Sequence, residues 1–215
     1  VGEPGLRWLQ QVQQELSMQV ATEVATPRQA EVALKYGIDI LWIGARTTVS
    51  PFMIQEIAEV LRGGDTPVML KNPVCPDLEL WTGAVEGLMD LDVKQLSLIN
   101  RGFSVLDAAP YRNIPCLEMA LEMKKRFPGL PLFCDPSHIC GKRGLLYGIC
   151  AEALRLDMDG LFIESHCCPE VALSDAAQQL TPEALGKMFE NLGIRQVENN
   201  KLHLGCEILI QRKGY

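Results

Sequence analysis

Three cations stand at comparable places along the chain: Arg46 in Ile43-Gly-Ala-Arg, Lys71 in Met69-Leu-Lys-Asn-Pro, and Arg101 in Asn100-Arg-Gly-Phe. Each closely follows a short aliphatic run, so three successive strand ends would project positive charge toward one mouth. Arginine grips phosphate or carboxylate with a planar fork, and lysine adds a compact point charge. The set suits a small substrate carrying such anionic groups, with solvated loop charges as the plain alternative. Lys71 has a second chemistry open to it, because a barrel lysine desolvated among other cations can serve as a Schiff-base nucleophile.

A second group lies downstream: His138 in Asp135-Pro-Ser-His, Glu164 in Leu161-Phe-Ile-Glu, and Asp175 in Leu173-Ser-Asp. One imidazole and two carboxylates suit a divalent transition metal such as manganese, iron or zinc. The spacing alone also allows a hydrogen-bonding histidine and an aspartate that caps a helix. His166 reads either as a supporting or acid–base group or as loop packing. Cys167-Cys168 lacks the two-residue spacer of zinc pairs and is read as structural.

These residues need elements to position them. Aliphatic runs predict strands over Gln19–Val24, Asp39–Ile43, Pro67–Lys71, Gln95–Ile99, Leu130–Cys134 and Gly160–Glu164. Amphipathic stretches predict helices over Leu6–Leu16, Pro27–Tyr36, Pro51–Arg62, Leu78–Met89, Cys116–Arg126, Arg143–Arg155 and Pro182–Asn191. Pro27, Pro51 and Pro182 fall where a first helical turn tolerates a missing N–H, and Gly37, Gly63 and Gly129 fall where helices stop. Strands alternating with helices imply a parallel α/β sheet, and their nearly continuous apolar character implies burial on both faces. A barrel and a doubly wound sheet both fit. The (β/α)8 TIM barrel is preferred because Glu23, Arg46, Lys71, Arg101, Asp135 with His138, and Glu164 with His166 all lie at or just after strand ends, where barrel enzymes gather their sites. About six of the eight βα units are found, so the barrel is read as missing its N-terminal part. The expected organisation is a partial barrel over 1–192 and a tail or linker over 193–215.

Composition narrows the partners. The 215 residues are 47% hydrophobic and 22% charged, as in a globular domain that buries a large core. No apolar run reaches the roughly 20 residues that span a bilayer, and Val1-Gly-Glu-Pro-Gly lacks the layout of a signal peptide, so a cytoplasmic location is expected. A net charge of −7 offers no basic field for nucleic acid or an acidic membrane. Most of the eight cysteines are expected to be reduced core residues.

Six segments then become familiar: Ile43-Gly-Ala-Arg-Thr-Thr48, Met69-Leu-Lys-Asn-Pro73, Asn100-Arg-Gly-Phe103, Cys134-Asp-Pro-Ser-His138, Gly160-Leu-Phe-Ile-Glu-Ser-His166 and Ala172-Leu-Ser-Asp-Ala-Ala-Gln-Gln-Leu180. In this order they resemble the later strand-end motifs of class I 3-deoxy-7-phosphoheptulonate (DAHP) synthases. Lys71-Asn-Pro with Asp77-Leu-Glu-Leu-Trp81 is most similar to bacterial forms fused to a chorismate mutase. The resemblance implies a homo-oligomeric enzyme that condenses phosphoenolpyruvate with erythrose 4-phosphate at the entry to aromatic amino acid biosynthesis. It makes Arg46, Lys71 and Arg101 the phosphoenolpyruvate-binding set and His138, Glu164 and Asp175 three of four metal ligands, with Lys71 and His138 the candidate catalytic residues. The family's cysteine ligand and its Lys-Pro-Arg-Thr segment do not occur here. The alternatives are a 3-deoxy-D-manno-octulosonate 8-phosphate synthase, which uses arabinose 5-phosphate, and a non-catalytic partial barrel.

Overall fold

The computed structural model describes residues 2–194. The tail read as a linker begins at 193 and lies almost wholly outside them. Helix starts follow local chemistry. Thr26, Ser50 and Thr181 each accept a hydrogen bond from the backbone N–H three residues on, and a proline follows each in the first turn. These three caps open α2 (Pro27–Lys35), α4 (Pro51–Leu61) and α9 (Pro182–Asn191). Asp77 does the same for α5 (Leu78–Asp90) through the N–H of Leu80. Gly37 and Gly63 stop their helices with φ of +66°. Gly129 does not: it sits outside the left-handed region, in a turn closed by the Leu130 N–H on the Phe127 carbonyl at 3.0 Å.

The strands are β1 (Ala21–Val24), β2 (Ile40–Ile43), β3 (Val68–Lys71), β4 (Leu96–Asn100), β5 (Leu132–Cys134) and β6 (Gly160–Leu161). Their order in the sheet is β1-β2-β3-β4-β5-β6, each strand beside its predecessor. A doubly wound sheet reverses its order at a switch point; this one does not, which selects the barrel type. Residues pair in parallel register from Ala21 with Ile40 through Lys71 with Ile99. Every residue of β2, β3 and β4 is buried, as strands covered on both faces require. The fold is thus a parallel α/β sheet of six TIM-barrel βα units among the described residues. None of its described helices is long and apolar enough to cross a membrane.

Three short helices escaped the sequence reading: α3 (Ala45–Thr48), α7 (Pro136–Cys140) and a 3₁₀ turn at Pro169–Val171. The remaining helices are α1 (Glu3–Leu16), α6 (Leu117–Arg126) and α8 (Leu146–Arg155), the last preceded by a 3₁₀ turn at Arg143–Leu145. β6 ends sooner than predicted because the chain after it turns to a different partner. The Leu180 N–H donates to the Glu164 carbonyl (3.1 Å) and the His166 N–H to the Leu180 carbonyl (2.9 Å).

The residues gather into two compact units. Among the described residues, one holds 2–99 with Glu118–Pro131; the other holds Asn100–Leu117 and 132–194. In the first, Trp81, Val85 and Leu88 of α5 and Ile57 of α4 are fully buried. In the second, Leu132, Phe133, Ile139 and Cys150 form the interior. No disulfide links the seven described cysteines. Cys134, Cys140 and Cys150 are core residues, but Cys75 and Cys116 are half-buried and Cys167 and Cys168 exposed, so the expectation of mostly core cysteines was too broad.

Candidate functional site

In the first unit, Lys71 closes β3 and is only 3% exposed. Its Nζ stands 4.5 Å from the centre of the Trp42 ring, so the negative π face meets a cation that has little water around it. The Thr48 hydroxyl donates to the Lys71 carbonyl at 2.9 Å and ties α3 to this strand end. Arg46 lies on α3 itself, one turn long and exposed at that residue. Four residues are too few to show a helical period, which is why the sequence left Arg46 in a loop.

The second unit holds the other four predicted residues. Asp135 caps α7: its Oδ1 accepts the His138 N–H at 3.0 Å, while its Oδ2 lies 2.8 Å from His138 Nδ1. The Asp135 carboxylate is close to Nδ1 but off its hydrogen-bonding line, so their interaction in this geometry is one of charge. Nε2 faces Glu164, 3.7 Å from its Oε1. Glu164 is 5% exposed, and the Ser137 hydroxyl accepts its N–H at 2.9 Å. Burial holds the Glu164 carboxyl above the ordinary carboxylate range; the His138 ring opposes this, and Asp135 adds to it. Asp175 completes the group from a left-handed backbone position, φ 56°.

One donor atom from each of His138, Glu164 and Asp175 can be chosen so that all lie within 4.8 Å of one another. Donors about 2.0–2.2 Å from a shared ion sit roughly 3–4 Å apart, so small rotations would close the set on a cation. One imidazole nitrogen and two carboxylates, one of them buried at a cost in desolvation, fit a divalent transition ion and leave coordination positions for substrate or water.

The long β4–α6 connection supplies what sequence reasoning missed. Arg101 is 8% exposed and donates to Asn113 Oδ1 at 3.0 Å. Gly102 beside it has φ +73°, and a Cβ there would lie 2.9 Å from the Ile114 carbonyl oxygen, so only glycine fits without displacement. The Asn113 amide also donates to the His138 carbonyl at 2.7 Å, joining Arg101 to α7. Arg112 reaches Asp175 and Gln178, and Gln178 reaches Glu164. The available signal was the length of this connection, 16 residues from Arg101 to Cys116 where short loops are the rule. His166 is engaged in its own loop, its Nδ1 accepting the Cys168 N–H at 2.9 Å.

Comparison with known proteins places this arrangement. Residues 1–197 match the profile of the DAHP synthetase I family. The chain is 26% identical over 196 residues to phospho-2-dehydro-3-deoxyheptonate aldolase of Thermotoga maritima, covering 89% of this chain and 55% of that protein. It therefore spans about half the length of that curated relative. A 2-dehydro-3-deoxyphosphooctonate aldolase of Parasynechococcus marenigrum is 25% identical over 195 residues, covering 85% of this chain and 66% of the relative. Among solved structures, a truncated form of the Thermotoga maritima 3-deoxy-D-arabino-heptulosonate 7-phosphate synthase superposes with a TM-score of 0.80 at 26% identity, covering 90% of this chain and 71% of that one. With strands in barrel order, a mixed-donor cluster after its last strands and a family profile matched from the first residue to 197, the chain belongs to the DAHP synthetase I family.

Proposed function

We propose that the protein condenses phosphoenolpyruvate with erythrose 4-phosphate to give 3-deoxy-D-arabino-heptulosonate 7-phosphate and phosphate, the first step of the shikimate pathway. Family membership supports the reaction class, and the observation that carries the reading is the His138–Glu164–Asp175 donor set, oriented by Asp135. In the reaction, the enol carbon of phosphoenolpyruvate bonds to the aldehyde carbon, water adds at the adjacent carbon, and phosphate leaves. Arg46, Lys71 and Arg101 bind the phosphate and carboxylate of phosphoenolpyruvate and offset charge on the phosphorylated intermediate. Lys71 acts as a buried point charge held by Trp42, not as a covalent nucleophile. Asp135 keeps the His138 ring turned so that Nε2 faces the donor set. A manganese, iron or zinc ion held by His138, Glu164 and Asp175 would supply Lewis acidity toward the aldehyde oxygen or hold the attacking water. The protein works in the cytoplasm as a homo-oligomer, with neither nucleic acid nor membrane as partner. The net charge of −7 supports the exclusion of nucleic acid.

The test is phosphate release from phosphoenolpyruvate by the purified protein, with each aldose phosphate in turn. Release that needs erythrose 4-phosphate, stops with a chelator and returns with Mn²⁺ is the expected result. Faster turnover of arabinose 5-phosphate would favour the octulosonate reading, which the Parasynechococcus marenigrum relative's name supports. Phosphoenolpyruvate binding without turnover of either sugar would favour a non-catalytic barrel.

A further inference from the structure

Arg112 is outside the predicted site, yet one of its nitrogens reaches two of the residues that govern it. Nη1 donates to Asp175 Oδ1 at 2.6 Å and to Gln178 Oε1 at 2.9 Å. The amide nitrogen of Gln178 donates onward to Glu164 Oε2 at 2.7 Å, so Oε1 is the Glu164 oxygen turned to His138. The backbone of Arg112 is fixed as well: its N–H donates to the Ile139 carbonyl at 3.0 Å, one residue past His138. Asp175, Glu164 and the helix carrying His138 thus meet at one side chain and its backbone.

We propose that Arg112 is a positioning residue for the metal centre, setting the Asp175 carboxylate directly and the Glu164 carboxylate through Gln178. The inference rests on the metal reading above and adds a residue to it. Charge supports it: Glu164 and Asp175 each offer a carboxylate oxygen to one cluster, Asp135 stands at the far nitrogen of the His138 ring, and the Arg112 guanidinium offsets part of their charge while leaving room for a divalent ion. The guanidinium also repels an incoming cation, but the Arg112 side chain is 45% exposed and that repulsion is screened by water. Orientation is not screened. Groups that hold metal-ligating carboxylates by hydrogen bonds typically change affinity by about 10–100-fold when removed. Lysine keeps the charge on a shorter stem, so its ammonium is expected to reach Asp175 but not Gln178 as well.

The experiment is Mn²⁺ binding to the purified protein, followed by calorimetry and by loss of the free-ion electron paramagnetic resonance signal, for the unsubstituted protein, Arg112→Met, Arg112→Lys and Gln178→Leu. The methionine variant should bind Mn²⁺ about 10–100-fold more weakly, with the other two in between. Saturating Mn²⁺ should return kcat of the methionine variant toward normal, because the defect lies in ion affinity. Unchanged or tighter Mn²⁺ binding by Arg112→Met overturns the inference, as does a kcat that excess Mn²⁺ does not restore, which would mean that Arg112 contacts substrate. If the methionine variant does not fold, Arg112→Lys and Gln178→Leu decide in its place, and unaltered binding by both overturns the inference. No Mn²⁺ binding by the unsubstituted protein would end the metal reading itself and this inference with it, an outcome distinct from binding that the variants leave unaltered.

Discussion

Asp135 engages both carboxylate oxygens with His138, one at the backbone N–H and one at the ring. Asp135→Asn should keep the helix cap but lose the charge beside Nδ1, so Mn²⁺ affinity should fall by about 10–100-fold in a calorimetric titration. His138→Ala removes a ligand and should fall further. Lys71 offers a separate test, since its charge is buried over Trp42. Hydrogen bonds to charged groups contribute about 1.5–3 kcal/mol. Lys71→Met should therefore weaken phosphoenolpyruvate binding by about 10–100-fold while leaving Mn²⁺ binding in place, and borohydride should trap no substrate adduct on the unsubstituted protein. An adduct at Lys71 would restore the Schiff-base alternative that the sequence left open.

At the scale of elements, what the sequence made legible was whatever repeats over enough residues. The Pro182–Asn191 helix lies where its proline and periodicity predicted, and the six strands lie within a few residues of their aliphatic runs. Elements of four or five residues, α3 and α7, carry no readable period, although they hold Arg46 and His138. Arg112, Asn113 and Gln178 were illegible for another reason: nothing in Tyr111-Arg-Asn-Ile says that a loop will fold back against α7, as the Asn113 N–H does on the Ile139 carbonyl at 3.1 Å. The end of α7 makes this dependence testable. Gly141 terminates it with φ +65°, and a Cβ there would lie 2.6 Å from the Arg112 Cβ. Gly141→Ala should cost about 1–2 kcal/mol in a thermal melt, from left-handed strain alone. It should also weaken Mn²⁺ binding by displacing Arg112. Thr181→Ala, which removes only the α9 cap, should cost about 1 kcal/mol and leave Mn²⁺ binding unaltered.

For the whole molecule, the sheet order puts β1 and β6 at its two ends, each with one neighbour among the described residues. Strand edges of this kind template pairing with another chain. A polypeptide of these residues alone should therefore self-associate in light scattering behind size exclusion, and a cooperative monomer would contradict that. His138, Glu164 and Asp175 all belong to the second unit, within a single stretch of its sequence, and none belongs to the first. An ion that binds folded protein only stabilises it by mass action, about 2.7 kcal/mol at one hundred times its dissociation constant. Free Mn²⁺ would then act as a selective folding ligand. Hydrogen exchange should slow in the described residues of the second unit as the ion is titrated, so that metal supply would tune how often that stretch opens to proteases.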